Sequence, residues 1–226
     1  MEQLEKDLGY IFRDRSLLEQ ALHHSSFANE HRGRGMESNE RLEFLGDAIL
    51  GFVSARHLFT TYPHLPEGDL TRMRAALVCE QSLYEVACQW DLGRCLRLGR
   101  GEEAGGGRQR QSILADAVEA LLAAVYLDGG LEAVSGIIHR SILGGAAARR
   151  VEERRDYKTA LQELVQREEG RVLIYRQTGE SGPDHNKVFQ FEVLINGQSV
   201  GHGTGRSKKE AEQAAAKDAL ENWNDT

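Results

Sequence analysis

The sequence lacks several patterns that mark particular classes of protein. It has only three cysteines, Cys79, Cys88 and Cys95, and no two of them have the CxxC spacing of a zinc site. Three separated cysteines predict reduced thiols with a structural role. No run of about 18 apolar residues occurs, so we expect no membrane span. The first residues are charged and contain no apolar signal-peptide segment, which predicts a cytoplasmic protein.

A phosphate-binding P-loop is also missing. Residues 101–111 are rich in glycine, but no Gly-Lys-Ser/Thr sequence follows the glycines and no strand precedes them, so they predict a mobile loop. Basic residues are also outnumbered by acidic ones, 28 to 35, so the 226 residues have a formal net charge of -7. This acidity argues against a nucleic-acid partner unless the basic residues are concentrated on one face. Residues 155–226 are the less acidic part of the chain, and we place any basic patch there.

Hydrophobic periodicity divides the chain into two domains. Residues 1–145 show the apolar spacing of helices almost throughout, which predicts an all-α domain. Residues 146–155 are rich in small and charged residues and are predicted to be a linker. Residues 156–226 combine a helix, three strands with a two-residue hairpin at Asn196-Gly197, and a final helix. The predicted fold class is therefore multidomain, with an all-α domain followed by a small α+β domain of order αβββα.

A helix from about 39 to 60 presents three acids on one face. Glu40, Glu43 and Asp47 fall within a narrow arc, where their charges repel one another. A bound cation would offset this repulsion, but a solvated acidic face or pairing with Arg41 would do so as well. Apolar residues at helical spacing predict a buried stripe on the same helix, at Leu42, Leu45, Ile49, Phe52 and Val53.

A second, strongly apolar helix begins near Ser112 and is expected at the centre of the core. Between Ile113 and Tyr126 its only acids are Asp116 and Glu119, which lie one turn apart and share a face. Carboxylates in a core helix are rarely left unpaired, because burying an isolated charge is costly. Buried salt bridges are one explanation, although their basic partners must come from another segment. The pair Gly129-Gly130 is predicted to end this helix.

The two acidic faces together suggest a site for a hard cation. Four carboxylates without a histidine or cysteine ligand favour Mg²⁺, with Mn²⁺ as a substitute, over Zn²⁺. Such a site suits metal-assisted hydrolysis of a phosphodiester bond. A glycosidase acid/base pair would explain two of the acids but not four. The adjacent residues His23 and His24 point to different faces of a helix, so we interpret them as structural.

The α+β domain has three groups of residues that can contact an RNA duplex. Lys208 and Lys209 follow Ser207 in the first turn of the last helix, where the lysines and the helix dipole both favour phosphate. His185 lies on the loop between the first two strands. Taken alone, the lysine pair is typical of a solvated helix start, but the αβββα pattern favours binding to an A-form duplex. The exposed side of the domain's first helix carries Gln162, Glu163 and Gln166.

Four motifs match the pattern of a known family. They are NERLEFLGD at 39–47, EGDLTR at 67–72, LADAVEA at 114–120 and GTGRSKKEAEQ at 203–213. Together they resemble bacterial ribonuclease III, an endonuclease of double-stranded RNA, and the last of them resembles a double-stranded-RNA-binding domain. The motifs occur in the family's order over nearly the full chain.

The resemblance implies a catalytic domain at 1–145 and a double-stranded-RNA-binding domain at 156–226. It implies that Asp47 and Glu119 are the acids most directly tied to catalysis, and that Glu40 and Glu67 are supporting acids. The implied Mg²⁺ ligands are Glu43, Asp47, Asp116 and Glu119.

The resemblance also implies a homodimer that forms through the catalytic domain and cuts both RNA strands. The implied products have 5′-phosphate and 3′-hydroxyl ends, and the implied role is processing of ribosomal RNA precursors and of some messenger and transfer RNA precursors. A non-cutting RNA-binding protein on the same scaffold is the rival hypothesis. Such a protein would be expected to lose one or more of the four acids, and this chain keeps them all.

Overall fold

The computed structural model describes residues 1–63, 65–145, 148, 156–166, 170–183 and 187–223. The chain forms two compact units, Met1–Glu153 and Arg154–Thr226. The first unit is helical, and the second combines helices with a three-stranded antiparallel sheet, which confirms the predicted fold class. The predicted linker at 146–155 lies outside the described residues except for Ala148, so the domain limits stay a prediction.

Helices of very different length build the first unit. A π-helical turn, His139–Leu143, extends the last of them, and short 3-10 segments occur in several connections. The α-helices are α1 (Glu2–Leu8), α2 (Arg15–Ala21), α3 (Ser25–Glu30), α4 (Glu40–Thr61), α5 (Glu67–Leu77), α6 (Glu80–Gln89), α7 (Arg100–Ala104) and α8 (Gln111–Ile138).

The glycine-rich segment 101–111 differs from the predicted mobile loop. It contains most of α7, and Arg108 donates hydrogen bonds to the carbonyl oxygens of Gly93 and Leu96 at 2.9 and 2.8 Å. Arg110 also forms an ion pair with Glu102 at 2.6 Å. The segment is therefore partly helical and tied to neighbouring backbone.

Helix α8 lies at the centre of the first unit, as its composition predicts. Its residues from 113 to 125 are buried with two exceptions, the half-buried acids Asp116 and Glu119. The predicted end of the first helical segment at Gly129-Gly130 is confirmed as a break, after which a second helical segment begins. Gly130 adopts φ 81° and ψ −177°, which kinks the chain, and helical structure continues to Ile138.

The stretch Gln111–Leu143 is long and apolar enough to cross a membrane by length and composition. Half of the most apolar 18-residue segment of this stretch is buried inside the protein. Core helices of soluble proteins can have the same length and hydropathy. The stretch is therefore weak evidence for a membrane span.

Asp128 anchors the N-terminal segment just before the kink. Its carboxylate accepts hydrogen bonds from the Tyr10 hydroxyl at 2.6 Å and from the backbone N–H groups of Arg13 and Asp14 at 3.0 and 2.8 Å. Gly129 leaves room for the Tyr10 ring, because a Cβ at this position would overlap with the phenol. These contacts tie the connection between α1 and α2 to the central helix.

The backbones of α4 and α8 are in direct contact at Gly46. A Cβ at this residue would overlap with the carbonyl oxygen of Glu119, so no residue larger than glycine fits between the two helices. Glu43 lies three residues before Gly46 on the same helix. The contact therefore places the acid-bearing turns of α4 and α8 side by side.

The apolar residues of α4 lie on two sides of the helix. Leu42, Ile49 and Val53 are buried as predicted. Phe52, predicted to be buried with them, is 54% exposed, and Phe44 and Phe59 are 80% and 71% exposed. These three phenylalanines fall within an arc of about 80° on a helix of 3.6 residues per turn. We refer to them as the α4 phenylalanine stripe.

The second unit has the predicted order of elements. The sheet order is β1-β2-β3, with both neighbouring pairs antiparallel. Asn196 and Gly197 connect β2 and β3 with φ values of 52° and 85°, the positive values that a type I′ hairpin turn requires. The elements are α9 (Tyr157–Gln166), β1 (Leu173–Ser181), β2 (Val188–Ile195), β3 (Gln198–Gly205) and α10 (Lys208–Glu221).

Helix α10 packs closely on the sheet because small residues face each other. A Cβ at Gly201 or Gly203 would overlap with the backbone of α10 around Ala215. Ser207 caps the helix, since its side-chain oxygen accepts a hydrogen bond from the Glu210 N–H at 3.2 Å. The first turn of α10, which carries the lysine pair, is therefore fixed on the sheet.

The contact at Gly46 leads to the first prediction. We expect Gly46→Ala to lower the free energy of unfolding by about 1–3 kcal/mol or more, because the added methyl group forces α4 away from α8. Gly51→Ala is the matched control on the same helix, where a Cβ would meet nothing within 4 Å. The control should be neutral or slightly stabilising, by up to about 1 kcal/mol. Urea unfolding of both variants measures the difference, and equal stabilities would contradict the interpretation.

Candidate active site

Three of the four predicted metal ligands meet between α4 and α8. Glu43 projects from α4, and Asp116 and Glu119 project from α8. One carboxylate oxygen from each residue lies within 4.8 Å of the other two. All three side chains are half-buried, so their oxygens are partly removed from water. The close packing at Gly46 thus converts two separate acidic faces into one cluster, which we call the acid cluster (Glu43, Asp116 and Glu119).

Burial and neighbouring carboxylates raise the pKa values of the cluster's three acids. Burial raises the pKa of Glu119 to about 8, with further contributions from the charges of Asp47, Asp116 and Glu43. Burial also raises the pKa of Glu43, followed by the charges of Asp116, Glu40 and Asp47. Without a cation, Glu119 therefore binds a proton more readily than an ordinary glutamate does. A divalent cation bound to these oxygens would displace that proton.

The acid cluster has no basic partner in the part of the chain that the structure describes. There, no lysine or arginine forms an ion pair with Glu43, Asp116 or Glu119. Buried salt bridges, including pairing with Arg41, therefore do not explain these acids. A set of carboxylate oxygens at this spacing fits a hard divalent cation such as Mg²⁺.

The remaining predicted acids lie outside the cluster. Asp47 is exposed on α4, but its charge acts on both Glu119 and Glu43. Glu40 is exposed and accepts a hydrogen bond from the Ser38 hydroxyl at 2.9 Å. Glu67 begins α5 and accepts one from Thr71 at 2.7 Å, and it is not among the groups that shift the pKa values of the cluster.

Two residues beside the cluster were missed by sequence reasoning. Burial raises the pKa of Asp116, and the charge of Glu80 raises it further, whereas His24 lowers it. Glu80 is the first residue of α6, and its sequence context contains no motif that marks it. His24 was interpreted as structural because it adjoins His23. Packing of distant segments brings both residues to Asp116, and helix periodicity does not reveal that.

The predicted RNA-binding residues are mostly exposed in the second unit. Lys208 and Lys209 extend from the first turn of α10, and the Lys208 ammonium lies 5.9 Å from the centre of the Phe189 ring. Ser207 is the helix cap described above. His185 lies outside the described residues. Gln162, Glu163 and Gln166 are all exposed on α9.

Two family models match the chain, one for each unit. Residues 14–146 match a family described as ribonuclease-III-like, and residues 157–222 match the double-stranded RNA binding motif. Among curated proteins, "Ribonuclease 3" of Pelotomaculum thermopropionicum is 54% identical over 220 residues, which cover 96% of this chain and 90% of that protein. "Ribonuclease 3" of Listeria welshimeri is 47% identical over 219 residues, which cover 97% and 96%.

Solved structures of a nuclease domain agree with the helical unit. Two structures of the ribonuclease III nuclease domain from Campylobacter jejuni are 41% and 42% identical to this chain, with TM-scores of 0.60 and 0.59. Each covers 64% of this chain, and this chain covers 97% and 94% of the two domains. The description of the first concerns a region involved in dimer formation. On the motifs, the fold and these similarities, the chain belongs to the ribonuclease III family of double-stranded-RNA endoribonucleases.

Proposed function

We propose that the protein is an Mg²⁺-dependent endonuclease that hydrolyses double-stranded RNA and leaves 5′-phosphate ends. The convergence of the Glu43, Asp116 and Glu119 carboxylates, unpaired by basic residues among those described, is the observation that supports this most strongly. Membership of the ribonuclease III family supplies the reaction class. A carbohydrate substrate for two of the acids receives no support, because a third carboxylate shares their site.

In this proposal the acid cluster holds the cation, and Asp47 approaches it from the exposed edge. Bound Mg²⁺ lowers the pKa of a coordinated water and offsets negative charge on the phosphate, and Mn²⁺ can substitute for it. Asp47 and Glu119 are the acids that we propose to be most directly tied to catalysis, as the family resemblance implies, and the charge of Asp47 acts on Glu119. Glu40 adds negative charge beside Glu43, whereas a supporting role for Glu67 rests on the resemblance alone.

The second unit is proposed to hold the RNA duplex. Lys208 and Lys209 are exposed at the start of a capped helix, where the backbone N–H groups and the lysines both attract phosphate. We propose that Gln162, Glu163 and Gln166 of α9 and His185 contact the grooves of the same duplex. Because the chain is acidic overall, binding through this small basic surface should depend strongly on salt.

A homodimer through the catalytic domain is the third part of the proposal. The α4 phenylalanine stripe is exposed, and exposed apolar patches on folded domains commonly mark interaction sites. The Campylobacter jejuni nuclease domain, whose description mentions dimer formation, shares this helical fold. A second copy of the chain would bury the stripe and place two acid clusters in one assembly, one for each RNA strand.

The proposed cellular role is processing of ribosomal RNA precursors and of some messenger and transfer RNA precursors, in the cytoplasm where these are made. It rests on the family resemblance. The rival hypothesis, a non-cutting RNA-binding protein, is disfavoured because all four acids are present and three of them converge. Cleavage of a duplex is the property that separates the two hypotheses.

The cleavage proposal is tested with a long RNA duplex in Mg²⁺ or in EDTA. We expect fragments with 5′-phosphate ends in Mg²⁺ only. Glu119→Gln should slow cleavage on the order of 100-fold or more, because it removes an anionic oxygen from the cluster, and should leave duplex binding largely intact. Glu132→Gln, an exposed position on the same helix, is the control and should cut normally. Undiminished cleavage by Glu119→Gln, or none by the wild type, would refute the proposal.

The phosphate role of the α10 lysines is tested by replacing both Lys208 and Lys209 with alanine. Losing two phosphate contacts should weaken duplex binding and reduce the slope of log affinity against log salt by about 2. Fluorescence anisotropy over a salt range of about 50–200 mM measures this slope. Lys217→Ala near the other end of α10 is the control and should keep the wild-type slope. An unchanged slope in the double variant would exclude the contacts.

The dimer is tested by placing charge on the stripe. We expect the wild type to sediment as a dimer and Phe44→Glu with Phe52→Glu to sediment as a monomer, because a buried unpaired carboxylate is costly. Ile174→Glu, which alters an exposed apolar residue of the second unit, should remain dimeric. Circular dichroism checks that all variants are folded. A monomeric wild type, or a dimeric double variant, would rule out this interface.

A further inference from the structure

His24 lies on a segment that is fixed against the helices of the acid cluster. Its backbone N–H donates a hydrogen bond to the carbonyl oxygen of Arg97 at 3.1 Å. The carbonyl oxygen of the preceding residue, His23, accepts one from the N–H of Asn39 at 2.8 Å, immediately before α4 begins. Helix α2, which leads into the segment, packs against α8. The position of the imidazole is therefore set by both acid-bearing helices.

The hydrogen bonds of Ser26 determine which imidazole nitrogen of His24 carries the proton. The Ser26 hydroxyl oxygen accepts a hydrogen bond from the Gly99 N–H at 2.9 Å, so its own hydrogen is free to point to Nδ1 of His24, 2.8 Å away. Nδ1 also accepts the backbone N–H of Ser26 at 3.3 Å. A nitrogen that accepts two hydrogen bonds has no proton of its own, so the proton of the neutral ring is on Nε2.

The Nε2–H group of His24 is an unused donor beside the acid cluster. Within the described ranges, only Nδ1 of this ring has hydrogen-bond partners. The ring is half-buried, and His24 is near enough to Asp116 for its charge to lower the pKa of that carboxyl group. A fixed donor without a partner at the edge of an acidic site points to a ligand that accepts hydrogen bonds there.

We propose that His24 is an RNA-contacting residue, whose Nε2–H donates a hydrogen bond to a phosphate oxygen of the strand bound at the acid cluster. This inference rests on the proposed function, since it takes duplex RNA as the ligand of that site. An imidazole suits the position better than a lysine would. A permanent cation there would pair with the Asp116 carboxylate and compete with the metal, whereas an imidazole donates from Nε2–H to phosphate without needing a permanent charge.

Two substitutions separate phosphate contact from a purely structural role. Asparagine places a polar atom near the position of Nδ1 and is a preferred helix cap, so His24→Asn keeps the bond to the Ser26 N–H and removes the outward donor. Glutamine reaches farther, so His24→Gln restores an N–H near the position of Nε2 and gives up the cap. The contact predicts that glutamine retains more function than asparagine. A capping role alone predicts the reverse order.

Full-length protein is assayed for duplex cleavage in Mg²⁺ and for duplex affinity in Ca²⁺, and the metal-binding step is followed separately by Mn²⁺ titration without RNA. We expect His24→Asn to lower kcat/KM and duplex affinity together by about 10- to 100-fold, the effect of one hydrogen bond to a charged oxygen. His24→Gln should recover part of that loss. Mn²⁺ affinity and the Tm of His24→Asn should match the wild type. His31→Asn, a substitution at another histidine of the same region, is the control and should behave as the wild type.

Wild-type cleavage and duplex affinity in His24→Asn would overturn the inference. Weakened Mn²⁺ binding in that variant would overturn it too, because His24 would then act on the metal ligands instead of on RNA. A wild type that binds the duplex without cutting it would refute the proposed nuclease function. In that case the Ca²⁺ affinity of His24→Asn would still decide whether His24 contacts phosphate.

Discussion

The contact between the backbones of α4 and α8 at Gly46 is the constraint on which the site depends. Each helix contributes acids at helical spacing, but helices separated by ordinary side chains lie about 8–10 Å apart. Glycine removes the intervening side chain, and the Glu43, Asp116 and Glu119 oxygens then come within 4.8 Å of one another. The buried length of α8 supports this arrangement, because its apolar residues are enclosed by the surrounding helices. The packing of the core and the geometry of the acid cluster thus depend on the same contact.

This geometry is electrostatically unfavourable until a cation binds. Burial raises the pKa of Glu119 to about 8, and the neighbouring charges of Asp47, Asp116 and Glu43 raise it further. Proteins retain such strain mainly where function requires it, and here a divalent ion would relieve it. In the second unit the concentrated charge is positive, and it favours an anion. Lys208 and Lys209 are held at a capped helix start, where positive charge remains available to a phosphate backbone.

The sequence predicted local features well and long-range ones poorly. The turn at Asn196-Gly197 followed from backbone preference, and the acids of α4 and α8 could be placed because helix spacing fixes which residues share a face. Phe52 was misplaced because periodicity detects an apolar stripe without telling whether it faces the core. The break at Gly130 was predicted correctly, because glycine readily adopts the non-helical φ and ψ found there. Glu80 reaches Asp116 only through tertiary packing, for which no local pattern exists.

The hydrogen bonds of Asp128 impose an order on folding during synthesis. They join this residue to Tyr10, which is 118 positions earlier in the chain. Because the ribosome releases the N-terminal part first, α1 and its connection to α2 exist long before their acceptor has been made. Until then the Tyr10 hydroxyl and the N–H groups of Arg13 and Asp14 have only water as partners. The first segment to be synthesised is therefore among the last to reach its final place.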